Sequence, residues 1–156
     1  MKLRLIAVGT RMPTWVEQGY ADYAARLPPE LKLELLEIPV AARGKNADIA
    51  RLRAAEGEKM LKAIRAGETV IAFDERGDAL DTAGWARELQ RWMQEGRAVN
   101  FLVGGPDGLA PEALARAQKK WSLSKLTLPH AMVRVFVAEQ LYRAWSLLAN
   151  HPYHRA

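Results

Sequence analysis

The sequence predicts an α/β protein: a mostly parallel sheet with helices on both faces, in one domain spanning residues 1–156. Three observations lead there. Short apolar runs alternate with helical patterns along the whole chain, the order expected when each parallel strand is followed by a crossover helix. The runs at 3–9, 69–73 and 98–103 are short and apolar, as strands covered on both faces are. A chain of 156 residues has the length of one domain and can bury about two thirds of its unfolded surface.

The elements follow in order. Residues 3–9, LRLIAVG, read as a buried strand that leaves through a turn marked by Gly9 and Pro13. Thr14 to Leu27 carries Trp15, Val16, Tyr20, Tyr23 and Ala24 near helical spacing, and Pro28-Pro29 stops it. In 31–38, LKLELLEI, apolar and charged residues alternate as in a half-exposed strand. A charged helix follows from Asn46, its expected cap, to Ile64. Thr69 to Phe73 is a third strand, closed by Asp74 and an expected turn at Arg76-Gly77-Asp78. Residues 82–95 form a helix, and 98–103 a fourth strand running into Gly104-Gly105-Pro106-Asp107-Gly108. A short helix at 111–118 opens on Pro111, the alternation in 121–128 predicts a fifth strand, and a final helix spans 130–150.

Composition narrows the function. Apolar residues at 49% and charged residues at 26% exclude a disordered chain. The absence of cysteine excludes disulfides and thiolate metal sites and fits a reducing compartment. The amino terminus reads as a strand rather than an export signal, and the most apolar stretch, 131–149, is broken by Arg134, Glu139 and Arg143, so no membrane is expected. A net charge of +5 suits a polyanionic partner, and equally suits a protein that is only kept soluble by it.

Ligands of open parallel sheets lie beyond the carboxyl ends of strands, which directs attention to Phe73-Asp74, Gly104-Gly105 and 123–130. The glycine turn lets backbone approach a ligand closely, although taken alone it is only a turn. It matches neither the dinucleotide fingerprint nor the phosphate loop, and VGTRMP after the first strand lacks the glycines of a nucleotide-binding oxidoreductase. The last helix is apolar nearly all round in its first half, which requires burial against the sheet or a second subunit. Farther along it Arg143 lies one turn after Glu139, where an ordinary ion pair would account for it. The tail, His151 to Arg155, offers histidine, tyrosine and arginine beyond the helix, where little contribution to the core is expected and stacking on bases or pairing with phosphate is possible. With His130 as the one other histidine, a zinc site at His151 and His154 is not expected.

Six stretches together carry a resemblance: LIAVG near the amino terminus, RGKNADI at 43–49, GGPDGL at 104–109, LSKLTLPH at 123–130, VRVFVAEQLYRAW at 133–145 and NHPYHR at 150–155. In order and position they resemble the bacterial ribosomal large-subunit pseudouridine N3-methyltransferases, members of the SPOUT superfamily, over essentially the whole chain. The resemblance implies a C-terminal trefoil knot, which general folding rules would reject. It also implies a cytoplasmic homodimer that uses S-adenosyl-L-methionine to methylate N3 of a pseudouridine in 23S ribosomal RNA, within the intersubunit-bridge stem-loop of the assembled ribosome.

By position, the resemblance places Phe73, Gly104, Leu123, Ser124, Lys125, Leu126, Thr127 and Leu128 around the cofactor. Phe73 stands where relatives often have Leu, and Asp107 where Glu is common. For the transfer, Arg143 is expected to stabilise developing negative charge, Tyr142 to help orient the base, and His154 or His130 to accept the proton. Tyr153, His154 and Arg155 are expected to contact RNA. The competing reading is a ribosome-associated binding module without catalysis.

Overall fold

A computed structural model describes residues 1–42 and 44–155; Arg43 of the RGKNADI stretch and Ala156, the last residue of the expected domain, lie outside them. Strands β1 (Leu3–Val8), β2 (Leu33–Ile38), β3 (Thr69–Ala79), β4 (Val99–Val103) and β5 (Lys119–Ser122) form one sheet. Its order is β2-β1-β4-β3-β5, and every neighbouring pair is parallel. The helices are α1 (Thr14–Arg26), α2 (Ile49–Lys62), α3 (Thr82–Glu95), α4 (Pro111–Arg116) and α5 (His130–Leu148).

Alternation along the strands divides the core in two. Leu3, Leu5 and Ala7 of β1, with Ile71 of β3 and Val99, Phe101 and Val103 of β4, meet Trp85, Leu89 and Trp92 of α3 and Val137, Ala138 and Leu141 of α5. On the other face, Ile6 and Val8, with Val70, Ala72 and Leu102, meet Met60 of α2 and Ala113 of α4. The sheet is therefore covered on both sides, which is why its middle strand, β4, is apolar at every position except Asn100. That side chain is wholly buried and donates to Glu68 Oε1 and the Thr69 carbonyl, both at 3.3 Å.

Local chemistry sets the ends of the elements. Asp81 caps α3 by accepting from the Gly84 amide at 2.7 Å, and Gly96 ends it in the left-handed region at φ 72°. Asp48, rather than the expected Asn46, caps α2 by accepting from the Arg51 amide. Leu31 falls in a short 3-10 turn, Pro29–Leu31, so β2 begins later than expected.

Two departures shape the site. The expected turn at Arg76-Gly77-Asp78 is part of β3, which runs on to Ala79. Trp121 of β5 pairs with both Phe73 and Asp78, so the residues between them bulge outward. Glycine permits this at position 77, where a Cβ would lie 2.6 Å from the Lys120 carbonyl carbon. The expected fifth strand at 121–128 is instead the four residues Lys119–Ser122. Beyond it the Ser122 hydroxyl donates to the Ser124 carbonyl, and Ser124 Oγ accepts from the Leu126 amide, both at 2.9 Å, a local bonding pattern that turns the chain out of the sheet.

Candidate active site

A cavity of about 540 Å³ opens at the carboxyl ends of β3, β4 and β5, within the usual range of small-molecule sites. Phe73, Val103 and Trp121 form its apolar floor, the glycine loop after β4 one wall, and the segment after β5 another. His130 and Val133, on the first turn of α5, complete the enclosure. Asp74, Glu75 and Arg76, on the bulged part of β3, supply charged lining. An aromatic cluster fixes the floor: Phe73 stacks on Trp85 at 5.9 Å and on Phe101 at 6.0 Å, and Trp121 packs on Trp85 at 5.0 Å.

The glycine loop owes its composition to its own backbone. A Cβ at Gly104 would lie 2.5 Å from the Gly108 carbonyl carbon and 2.7 Å from the Leu109 nitrogen. The room that the sequence suggests is kept for a ligand is taken by the returning chain. Gly105 and Gly108 close the loop through a 3.1 Å backbone hydrogen bond, and Gly108 adopts φ 77°. From α2, Arg53 Nη1 donates to the Asp107 carbonyl at 3.2 Å and ties the loop down.

Of the eight residues assigned to the cofactor by resemblance, Phe73, Gly104, Leu123, Ser124, Leu126 and Leu128 line the cavity. Lys125 and Thr127 are exposed and do not line it. The alternation that suggests a strand thus turns one set of side chains toward the cavity and the other toward solvent. His130 is on the wall, and burial first, then the Arg134 charge, hold its pKa below the ordinary histidine value.

Arg143, Tyr142 and His154 lie elsewhere. Arg143 is thirteen residues beyond His130 on α5, about 20 Å of helical rise. It forms the expected pair with Glu139, with Nε donating to Oε1 at 2.7 Å, and that hydrogen bond, ahead of the carboxylate's charge, holds it firmly cationic. The tail is not idle with respect to folding. The Tyr153 hydroxyl donates to Glu139 at 3.0 Å, its ring packs on Tyr142 at 4.5 Å, and the Arg143 guanidinium lies 5.0 Å from that ring. Burial first, then hydrogen bonds with Tyr23 and Glu139, push the Tyr153 hydroxyl far above the ordinary tyrosine value. Tyr142 is 7% exposed beneath this cluster. His154 Nδ1 is buried without a hydrogen-bond partner, and Arg155 is exposed.

Sequence reasoning passed over Arg134, treating it as an interruption of an apolar run. It is 1% exposed, and its Nη1 donates to Glu37 Oε2 at 2.7 Å while Nη2 donates to the Gly9 carbonyl at 2.8 Å. The available signal was an arginine inside AMVRVFVA, a segment otherwise apolar enough to demand burial. Among the described residues, no group of three or more His, Cys, Asp or Glu side chains is placed to hold a metal ion, and no helix is long and apolar enough to cross a membrane.

Comparison with known proteins gives this arrangement a family. The model of the family described as "Predicted SPOUT methyltransferase" matches residues 1–154. A protein of Azotobacter vinelandii named ribosomal RNA large subunit methyltransferase H is 58% identical over 155 residues, covering 99% of this chain and all of that one. A Pseudomonas putida protein of the same name is 57% identical with the same coverage. Among solved structures, a probable methyltransferase from Bordetella pertussis has a TM-score of 0.58 at 16% identity, covering 91% of this chain and 95% of that one. A probable methylase family protein from Haemophilus influenzae has a TM-score of 0.57 at 13% identity, covering 99% of this chain and 70% of that one. These last two likenesses are of fold alone. With a family model matched almost end to end and relatives more than half identical over their full length, the chain belongs to the SPOUT methyltransferase family.

Proposed function

We propose that this protein is a cytoplasmic ribosomal RNA methyltransferase of one domain, which uses S-adenosyl-L-methionine and acts as a homodimer on N3 of a pseudouridine in 23S RNA of the assembled ribosome. The observation that carries the reading is the cavity at the strand ends, with His130 on its wall, in a chain 58% identical to a ribosomal RNA large subunit methyltransferase. The lining fits an adenosine-bearing cofactor. Phe73, Leu123, Leu126 and Leu128 offer an apolar slot, and the polar lining of Ser124, Arg53 and Asp74 suits the hydroxyl, carboxylate and ammonium groups of such a molecule. The loops at 104–109 and 122–128 share one cavity, and α5 then packs on α1 and α3; the C-terminal trefoil knot rests on the family resemblance.

When bound, S-adenosyl-L-methionine supplies an electrophilic sulfonium methyl group. The protein's task is to free an electron pair on N3. His130 would take the N3 proton, leaving the nitrogen electron pair free to accept the methyl group that the bound cofactor would supply. Charge on the base is met by Arg143, which Glu139 and the Tyr153 ring hold in place. Tyr142 orients indirectly, as the surface on which Tyr153 packs. His154 and Arg155, with Tyr153, meet the RNA.

Because Arg143 lies about 20 Å along α5 from His130, a second copy would bring the two groups to one base. This supports the homodimer, and the exposed Trp15 and Phe136 provide apolar surface for it. Methyl transfer from labelled cofactor to ribosomes, subunits and naked RNA, followed by mapping of the product, tests the reading. Modification of a single pseudouridine, fastest on assembled ribosomes, is expected. Cofactor binding by calorimetry without transfer to any ribosomal substrate would overturn it.

A further inference from the structure

We infer that Arg134 is a positioning residue for the proposed transfer: it anchors the first turn of α5 to the ends of β1 and β2 and keeps His130, one turn before it, uncharged on the cavity wall. The inference rests on the reading of His130 as proton acceptor.

Its burial is the starting point. At 1% exposure the guanidinium has left water, and desolvating such an ion costs several kcal/mol, offset only by good partners. Glu37 and the Gly9 carbonyl are those partners, one within β2 and the other just past β1, so a single side chain joins both strand ends to α5. The Glu37 side chain remains 36% exposed, so water weakens its attraction for the buried guanidinium, and the pair is no more stabilising than an apolar side chain of similar volume. Stability alone therefore does not explain a cation here, whereas its neighbour does.

His130 and Arg134 are four residues apart on α5 and share one side of it. Both lie against Gly9: a Cβ built there would be 3.4 Å from Arg134 Nη2 and 3.8 Å from His130 Nε2. The imidazole thus shares its surroundings with a fixed positive charge. It also sits at the amino end of α5, where the peptide dipoles oppose a second cation.

The other groups around His130 are accounted for. Glu37 of β2 is occupied by Arg134. Tyr20 of α1 is kept neutral by burial, which pushes its hydroxyl up to about 12 against the opposing Arg134 charge. Arg11 after β1 and Lys125 after β5 are exposed cations. The cavity carries Arg53 and Arg76 against Asp74, Glu75 and Asp107. Beyond burial, Arg134 is the charge that lowers the His130 pKa. The consequence is an imidazole able to accept a proton through the neutral pH range and some way below it.

Histidine titration by NMR on the full-length protein, with His130→Gln to identify the resonance, reads this link without any substrate. In Arg134→Met the His130 midpoint should rise by about half a pH unit or more. In Glu37→Gln, which leaves the Arg134 charge unopposed, it should fall. Arg134→Lys, keeping the charge without the two-pronged contact, should retain a depressed midpoint while kcat drops. The acid limb of kcat against pH on ribosomes should move in the same direction as each midpoint. If Arg134→Met does not fold, the opposite-signed Glu37→Gln shift still decides the matter. A His130 midpoint unmoved in a folded variant would overturn the inference. Failure of wild-type protein to methylate ribosomes would overturn the proposed function and leave the titration result standing.

Discussion

An alanine methyl at position 104 would press on the Gly108 carbonyl carbon at 2.5 Å, and no flexible side chain is there to yield. Gly104→Ala should therefore open the glycine loop. Cofactor affinity, measured by calorimetry, should fall about tenfold or more, and stability by about 1–3 kcal/mol. A folded variant with unchanged affinity would remove this loop from the binding site. At the opposite end of the sheet, Glu68 accepts from Arg4 at 2.9 Å and from the Arg65 amide at 2.9 Å. Burial raises the Glu68 pKa, but these bonds, that of Asn100 and the charges of Arg4 and Arg65 outweigh it and leave the carboxyl below its ordinary value. Its contribution to stability is then complete above the unfolded carboxylate pKa and is lost as pH falls through the lower folded value. Glu68→Gln should cost about 2 kcal/mol at neutral pH by denaturant titration. The same variant should show a shallower loss of stability below about pH 4, where the wild-type residue also becomes neutral.

The carboxyl-terminal tail behaves as an element in its own right. His151 Nδ1 accepts from the Tyr153 amide at 3.2 Å and starts a 3-10 turn, Pro152–His154, which lays Tyr153 onto Glu139 and Tyr142. A chain ending at Asn150 should consequently lose about 1–2 kcal/mol in thermal unfolding through the missing ring contact and hydrogen bond. An unchanged melting curve would show that the tail's packing contributes nothing. That docking could not be read from the sequence, because it depends on Glu139 and Tyr142 lying about two turns before the end of a helix whose facing side only the fold defines. The expected fifth strand failed for a related reason: WSLSKLTL alternates correctly, yet Ser122 and Ser124 bond locally and divert it. Arg76-Gly77-Asp78 has turn composition, but the glycine serves a close approach to β5. By contrast β1, α3 and β4 were legible nearly to the residue, since buried strands and a capped amphipathic helix are specified locally. The cavity was legible in outline because parallel strands place ligands at their carboxyl ends. Arg134 was not, because its partners Gly9 and Glu37 are about a hundred residues or more away in sequence.

For the whole molecule, the distance along α5 sets the decisive question. In one subunit His130 is on the cavity wall, whereas Arg143 stands about 20 Å farther along the same helix and the tail is docked beside Glu139 and Tyr142. The bond from Tyr153 to Glu139 holds the tail on that later part of α5. Two copies related by a two-fold axis can exchange these ends, so that each cavity receives the partner's Arg143 and tail. Complementation separates this arrangement from a site completed within one chain. One partner carries His154→Ala with Arg155→Ala, which leaves the Tyr153 packing in place; the other carries Gly104→Ala and is assayed with cofactor kept well below its weakened Kd, so that each alone should be nearly inactive. After subunit exchange at equal concentrations about half the dimers are mixed, and each mixed dimer joins one intact cavity to one intact tail across the interface. Methyl transfer to ribosomes should then recover to roughly a quarter of the wild-type rate. If tail and cavity of one chain instead serve the same site, no mixed dimer contains a whole site, and activity stays absent. No recovery, with mixed dimers confirmed by native mass spectrometry, would reject the exchanged arrangement in favour of a tail that serves its own cavity.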